Sequence, residues 1–132
     1  MRKVFFFETR RKKGAVMIRI MERSTHRAIG FEMSGMVNLT ELKKVTKYFK
    51  KAVAAHGTIN WLAVSRGLIG FTPTAFVHDL EFNIRNAKHF KKKVVVSDSF
   101  FLKLTTNALG PLFGIKHFEL KEIERAWHYV TS

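Results

Sequence analysis

From Met17 onward, short apolar runs alternate with segments whose apolar residues recur at helical spacing, and that alternation restricts the chain to the α/β class. Two strand-like runs come first, Met17-Ile18-Arg19-Ile20-Met21 and Ala28-Ile29-Gly30-Phe31-Glu32-Met33-Ser34; with a polar turn between them they read as an antiparallel hairpin. Asn38 and Glu41 have the spacing of a capping box, after which Leu42, Val45, Phe49, Ala52 and Val53 mark one face of a helix that ends at Gly57. The nearly continuous apolar run Ile59-Asn60-Trp61-Leu62-Ala63-Val64-Ser65 suits a parallel strand covered on both faces. A loop is expected next. Thr72-Pro73 supplies an N-cap hydroxyl and a proline at the first helical position, and Phe76, Leu80, Ile84 and Ala87 then share one face of a second helix that runs to about Asn86. A basic loop over residues 88–93 leads into the strand Val94-Val95-Val96. A third helix with Phe100, Phe101, Leu104 and Ala108 is expected to stop at Gly110-Pro111. A last strand over residues 115–119 and a helix carrying Ile123, Ala126, Trp127 and Val130 complete the order β-β-α-β-α-β-α-β-α. Right-handed crossovers make this a mixed, mostly parallel sheet with an N-terminal hairpin and about four helices.

A chain of 132 residues suits one domain, long enough to bury about two thirds of the surface its unfolded form exposes. With 46% hydrophobic residues, thirteen Phe and two Pro, it is not a disordered chain. The lack of cysteine excludes disulfides, thiolate metal sites and thiol nucleophiles, and suits a reducing compartment. No apolar run approaches the roughly 18 residues of a membrane span, and Glu8 with Arg10-Arg11-Lys12-Lys13 interrupts the opening apolar run too early for a secretory signal. The expected location is the cytoplasm, with peripheral attachment at the inner face of the membrane as the one alternative.

The formal net charge of +14 demands an anionic partner. Residues 1–16 carry six of the cations against Glu8 alone and precede the first alternating run, so they are set aside as a flexible basic extension from a domain over residues 17–132. Within that domain, Lys43, Lys44, Lys47, Lys50 and Lys51 make the outer face of the first helix a cationic plate, which Lys91, Lys92 and Lys93 of the expected basic loop extend.

Candidate chemistry is sparse. Two aspartates and eight scattered glutamates offer no paired-carboxylate site. His78 and Asp79 are neighbours, but successive helical side chains diverge by about 100° and form no dyad, which leaves both as surface residues. His117 and Glu119 share a strand face without a third ligand, so no metal or other cofactor is expected. Gly67-Leu68-Ile69-Gly70 matches the bare GxxG of the KH module, yet it follows a strand and encloses two apolar residues, so it reads as a turn. Specific nucleic-acid binding is not expected. No catalytic residue is assigned.

One constellation stands out. Leu68, Ile69, Phe71, Phe76, Phe100, Phe101, Leu104, Leu112 and Phe113 gather after the third and fourth strands, at the carboxyl ends where open α/β sheets hold ligands. They exceed what one buried stripe requires, which points to an apolar cleft, a membrane-dipping surface or a homodimer contact.

This layout resembles the SpoIIAA-like family, a branch of the STAS (sulfate transporter and anti-sigma factor antagonist) fold. The resemblance covers residues 17–132. It rests on Ile29-Gly30-Phe31-Glu32-Met33-Ser34-Gly35, Ile59-Asn60-Trp61-Leu62 before Gly70-Phe71-Thr72, Val94-Val95-Val96-Ser97-Asp98, and Lys116-His117-Phe118-Glu119 followed by Glu124-Arg125-Ala126-Trp127. It implies a STAS-like fold. The anti-sigma antagonists of that fold are switched at a serine of an Asp-Ser pair after the third strand; this chain has Ser65-Arg66-Gly67 there, with Thr72 and Thr74 as the hydroxyls left to accept a phosphate. The similarity of SpoIIAA-like proteins to lipid-carrying CRAL-TRIO domains implies an apolar ligand or membrane association. The expected function is thus a non-enzymatic module that engages a lipid-like molecule or an anionic membrane surface. The alternative is a regulator that docks an acidic protein through the basic helix.

Overall fold

The computed structural model describes residues 6–8, 17–25 and 27–132; the side chains at positions 6–8, 17, 100–102, 104–106 and 109 lie outside that description. Its elements are β1 (Phe6–Glu8), β2 (Met17–Ile20), β3 (Ala28–Val37), α1 (Leu39–His56), β4 (Ile59–Phe71), α2 (Pro73–Arg85), β5 (Phe90–Val96), α3 (Phe100–Phe113), β6 (Ile115–Phe118) and α4 (Ile123–Thr131), with 3-10 turns at Ala87–His89 and Leu120–Glu122. The strands form one sheet in the order β1-β2-β3-β4-β5-β6. The β1–β2 and β2–β3 pairs are antiparallel, and the expected hairpin sets Met17 opposite Ser34 and Ile20 opposite Phe31. The remaining three pairs are parallel.

A strictly sequential strand order with crossovers of one hand sends every crossover helix to the same side of the sheet. The buried residues follow that rule. Leu42, Val45 and Phe49 of α1 and Ala75 and Phe82 of α2 pack with Ile18, Ile29, Phe31, Trp61 and Ala63 in one core. On the opposite face, Ala126, Trp127 and Val130 of α4 pack against Leu62, Val64, Val94, Val96 and Phe118. Alternation along β4 therefore feeds two cores, with Leu62 and Ala63 facing opposite ways. Helix starts obey local chemistry: Asn38 Oδ1 accepts the Glu41 N–H at 2.9 Å, and Thr72 Oγ1 accepts the Ala75 N–H at 3.3 Å ahead of Pro73.

Several boundaries differ from expectation. Phe6–Glu8, part of the segment set aside as an extension, pairs with β2; the rest of residues 1–16 lies outside the described residues. The Gly67-Leu68-Ile69-Gly70 segment is no turn but the far half of β4, carried past a register shift opposite Gly35. Gly35 and Gly67 supply φ values of 75° and 66° there, a left-handed conformation that side chains disfavour. Residues 90–93 belong to β5 rather than to a loop. Helix α3 continues through Pro111 to Phe113, because a proline so near the helix end forgoes only one backbone bond; Gly114, at φ 71°, follows the last helical residue.

Candidate functional site

Between the sheet and helices α1, α2 and α3 lies a cavity of about 210 Å³. Strand β4 contributes Trp61, Ala63, Ser65, Leu68 and Phe71 along one side, and β3 adds Phe31 and Met33. Phe49 of α1, Phe82 of α2 and Phe113 of α3 close it from the helix side. Most of this wall is hydrocarbon, and among the described residues four polar side chains interrupt it: Thr46, Ser65, Asp79 and Asn83. Helix α2 forms the rim. Phe76 and Leu80 line the cavity while remaining 50% and 36% exposed, which places them at its mouth.

Helix α2 turns a narrow side to the core. Ala75 and Phe82 are its buried residues, whereas Phe76, Leu80 and Ile84, which share one face, are exposed together with Val77. The helix carries apolar residues on more than one side, so periodicity alone does not select the inner one. This orientation brings Asp79 and Asn83 to the cavity, one turn apart. Asn83 Nδ2 donates to the Asp79 carbonyl oxygen at 2.8 Å, which leaves Asn83 Oδ1 facing away from that carbonyl, buried and without a partner. Burial raises the Asp79 carboxyl to about 6. On the neighbouring residue, His78 Nε2 lies 3.2 Å from Thr46 Oγ1, tying α2 to α1. Asp79, expected at the surface, instead lines the cavity.

Of the nine apolar candidates, Leu68, Phe71, Phe76 and Phe113 line the cavity. Ile69 and Leu112 do not; both are exposed on its outer side. The side chains of Phe100, Phe101 and Leu104 lie outside the described residues. The lysines divide. Lys43, Lys44, Lys47, Lys50 and Lys51 are exposed along α1, with Lys44 3.2 Å from the buried Glu41. Lys91 is exposed, but Lys92 and Lys93 leave opposite faces of β5, as neighbours in a strand must. Lys92 Nζ donates to the carbonyl oxygens of Tyr129 and Ser132 at the end of α4, 3.1 and 2.9 Å away, where a cation offsets the helix dipole. Desolvation lowers the Lys93 ammonium below the ordinary lysine value. The 88–93 segment is thus not one cationic surface. Thr72 caps α2, and Thr74 beside it is exposed.

Two polar centres escaped the sequence reading. Glu32, 6% exposed, is held between Arg19 and Arg66, with its Oε2 2.8 Å from Arg66 Nε. This triad joins β2, β3 and β4 on the face of the sheet that also carries α4, and satisfies a carboxylate that would otherwise be costly to bury. Ser97, fully buried after β5, has its Oγ 3.2 Å from His117 Nε2. Desolvation, then Lys103, lowers the His117 imidazole, so this pair is neutral near pH 7. Among the described residues no three His, Asp or Glu side chains converge as a metal site, and no helix is long and apolar enough to cross a membrane.

A family model described as SpoIIAA-like matches residues 28–131. Among solved structures, the chain is similar to an uncharacterized protein of the DUF3478 family with a SpoIIAA-like fold from Shewanella loihica. The match has a TM-score of 0.74 at 18% identity and covers 92% of this chain and 98% of that one. No curated protein matches the sequence.

Proposed function

The chain belongs to the SpoIIAA-like family, and we propose that it is a binding module without catalytic chemistry that takes a small apolar molecule into the cavity under α2. One observation carries this reading: a cavity of about 210 Å³ lies among Phe31, Trp61, Phe71 and Phe82, walled mostly by hydrocarbon. An apolar wall of this kind gains stability when a ligand covers it, because that removes hydrocarbon from water. The test is thermal denaturation with and without ethylbenzene, a donor-free probe of suitable size. Wild type is expected to melt several degrees higher with the probe, while Ala63→Leu, which fills the cavity from β4, shows no such gain. Equal shifts in both proteins, or none in either, would remove the cavity from the function.

A second reading, peripheral contact with an anionic membrane, is favoured by the exposed apolar side of α2. Phe76, Val77, Leu80 and Ile84 lie along it, and Lys43 of α1 borders the groove in which Val77 sits. Apolar insertion backed by lysines is how peripheral modules hold acidic lipid, at about 1 kcal/mol per well-placed cation.

A further inference from the structure

The polar corner of the cavity is made of acceptors. Asn83 Nδ2 is committed to the backbone carbonyl of Asp79, and that bond fixes which end of the amide carries oxygen; reversing the amide would set two oxygens against each other. Asn83 Oδ1 is therefore a true buried acceptor, and it has no donor. Asp79, the one ionisable side chain among the described residues that line the cavity, adds a second acceptor on the same helix face. None of the ion pairs among the described residues includes Asp79. Asp79 Oδ1 takes one long hydrogen bond, from Asn83 Nδ2 at 3.4 Å; a carboxylate so weakly matched and an orphaned amide oxygen beside an apolar cavity cost stability unless something more supplies hydrogen.

Resting on the cavity reading above, we infer that the ligand is an aromatic or branched apolar amine of about nine non-hydrogen atoms, whose ammonium group seats between Asp79 and Asn83 Oδ1. The size follows from the volume: an apolar cavity of about 150 Å³ accepts benzene, so 210 Å³ takes a ring with a two-atom arm. The head group follows from the acceptors. An ammonium donates to both and neutralises the carboxylate, a hydroxyl has a single hydrogen to give, and a carboxylate is repelled. With its carboxyl raised to about 6, Asp79 is mainly ionised at pH 7.5 and presents that charge to the cavity. The preference runs against the chain's own field, since a formal charge of +14 attracts anions and repels amines. Selection of an amine is therefore a local property of these two residues.

The test is calorimetric titration at pH 7.5 with 2-phenylethylamine, 2-phenylethanol and phenylacetate, three probes that share a ring and differ in the head group. The amine is expected to bind about ten- to a hundredfold tighter than the alcohol, and phenylacetate weakest. Asp79→Asn should bring the amine down to the alcohol's affinity and leave the alcohol within about threefold. Equal binding of amine and alcohol, tightest binding of phenylacetate, or an amine preference that persists in Asp79→Asn would overturn the head-group assignment while leaving the cavity in use. Failure of all three probes on wild type, with ethylbenzene also without effect, brings down the cavity reading itself. The wild-type series decides the matter even where the variant does not fold.

Discussion

On the α4 face the Trp127 ring lies so close to the sheet that a Cβ on Gly30 would stand 2.4 Å from it, whereas on the α1–α3 face the same strands leave about 210 Å³ unfilled. The difference is one of construction. Helix α4 is short, follows its strand through a single 3-10 turn, and sets its one apolar stripe of Ala126, Trp127 and Val130 against the sheet. Helices α1, α2 and α3 are each tethered at both ends between parallel strands, so their spacing answers to the connections as well as to packing. Where both demands cannot be met, space is left over. That space is also where Asn83 Oδ1 lies buried without a partner.

The sharpest way to break this contrast is to remove what the packed face depends on. Trp127→Ala should cost about 4 kcal/mol in chemical denaturation, and Gly30→Ala about 3 kcal/mol, because the added methyl meets the indole. The coupling is the informative part. Beyond the indole the nearest atom to that methyl is Met21 Sδ at 3.5 Å, so Gly30→Ala should cost almost nothing in the Trp127→Ala background. Additive costs would mean that Gly30 is needed for something other than the tryptophan.

The cavity face is probed by pH. The Asp79 carboxyl sits at about 6 in the fold against an ordinary value near 3.8, so unfolding releases its proton more readily than the native state does. The stability tied to that proton is whole below about pH 4 and is lost as pH rises through 6, by about 3 kcal/mol at most. Subtracting the pH profile of Asp79→Asn isolates it, and parallel profiles would show that Asp79 is better solvated than its position indicates. The smallest effect belongs to the rim. Phe76→Ser combined with Ile84→Ser should leave folding within about 0.5 kcal/mol at these exposed positions and weaken sedimentation with phosphatidylserine vesicles about tenfold. Unchanged sedimentation would detach α2 from any membrane role and favour an acidic protein partner.

Much of this architecture was legible because strand and helix periods, Asn38 and Thr72 as caps, and apolar β4 and β5 all agree. The misreadings arose where one residue type serves two ends. Glycine marks both turns and bulges, which hid the far half of β4; it also marks helix ends, and α3 passed Gly110 to stop before Gly114. The site was only half visible. Leu68, Phe71, Phe76 and Phe113 could be collected from the loops after strands, but Phe31 and Trp61 were absorbed into ordinary strand patterns. Asp79 and Asn83 had one signal, a polar pair four residues apart on a helix otherwise rich in apolar residues. Reading it required knowing which way α2 was turned.

The sequential strand order also bears on how the molecule is made. Among the described residues every strand is complete by Phe118, and the one helix that covers the second face begins only at Ile123. During synthesis, Leu62, Val64, Val94 and Val96 therefore wait as a bare greasy strip until the ribosome has released α4. A stalled or clipped chain lacking residues 123–131 would present that strip to chaperones and to its own kind.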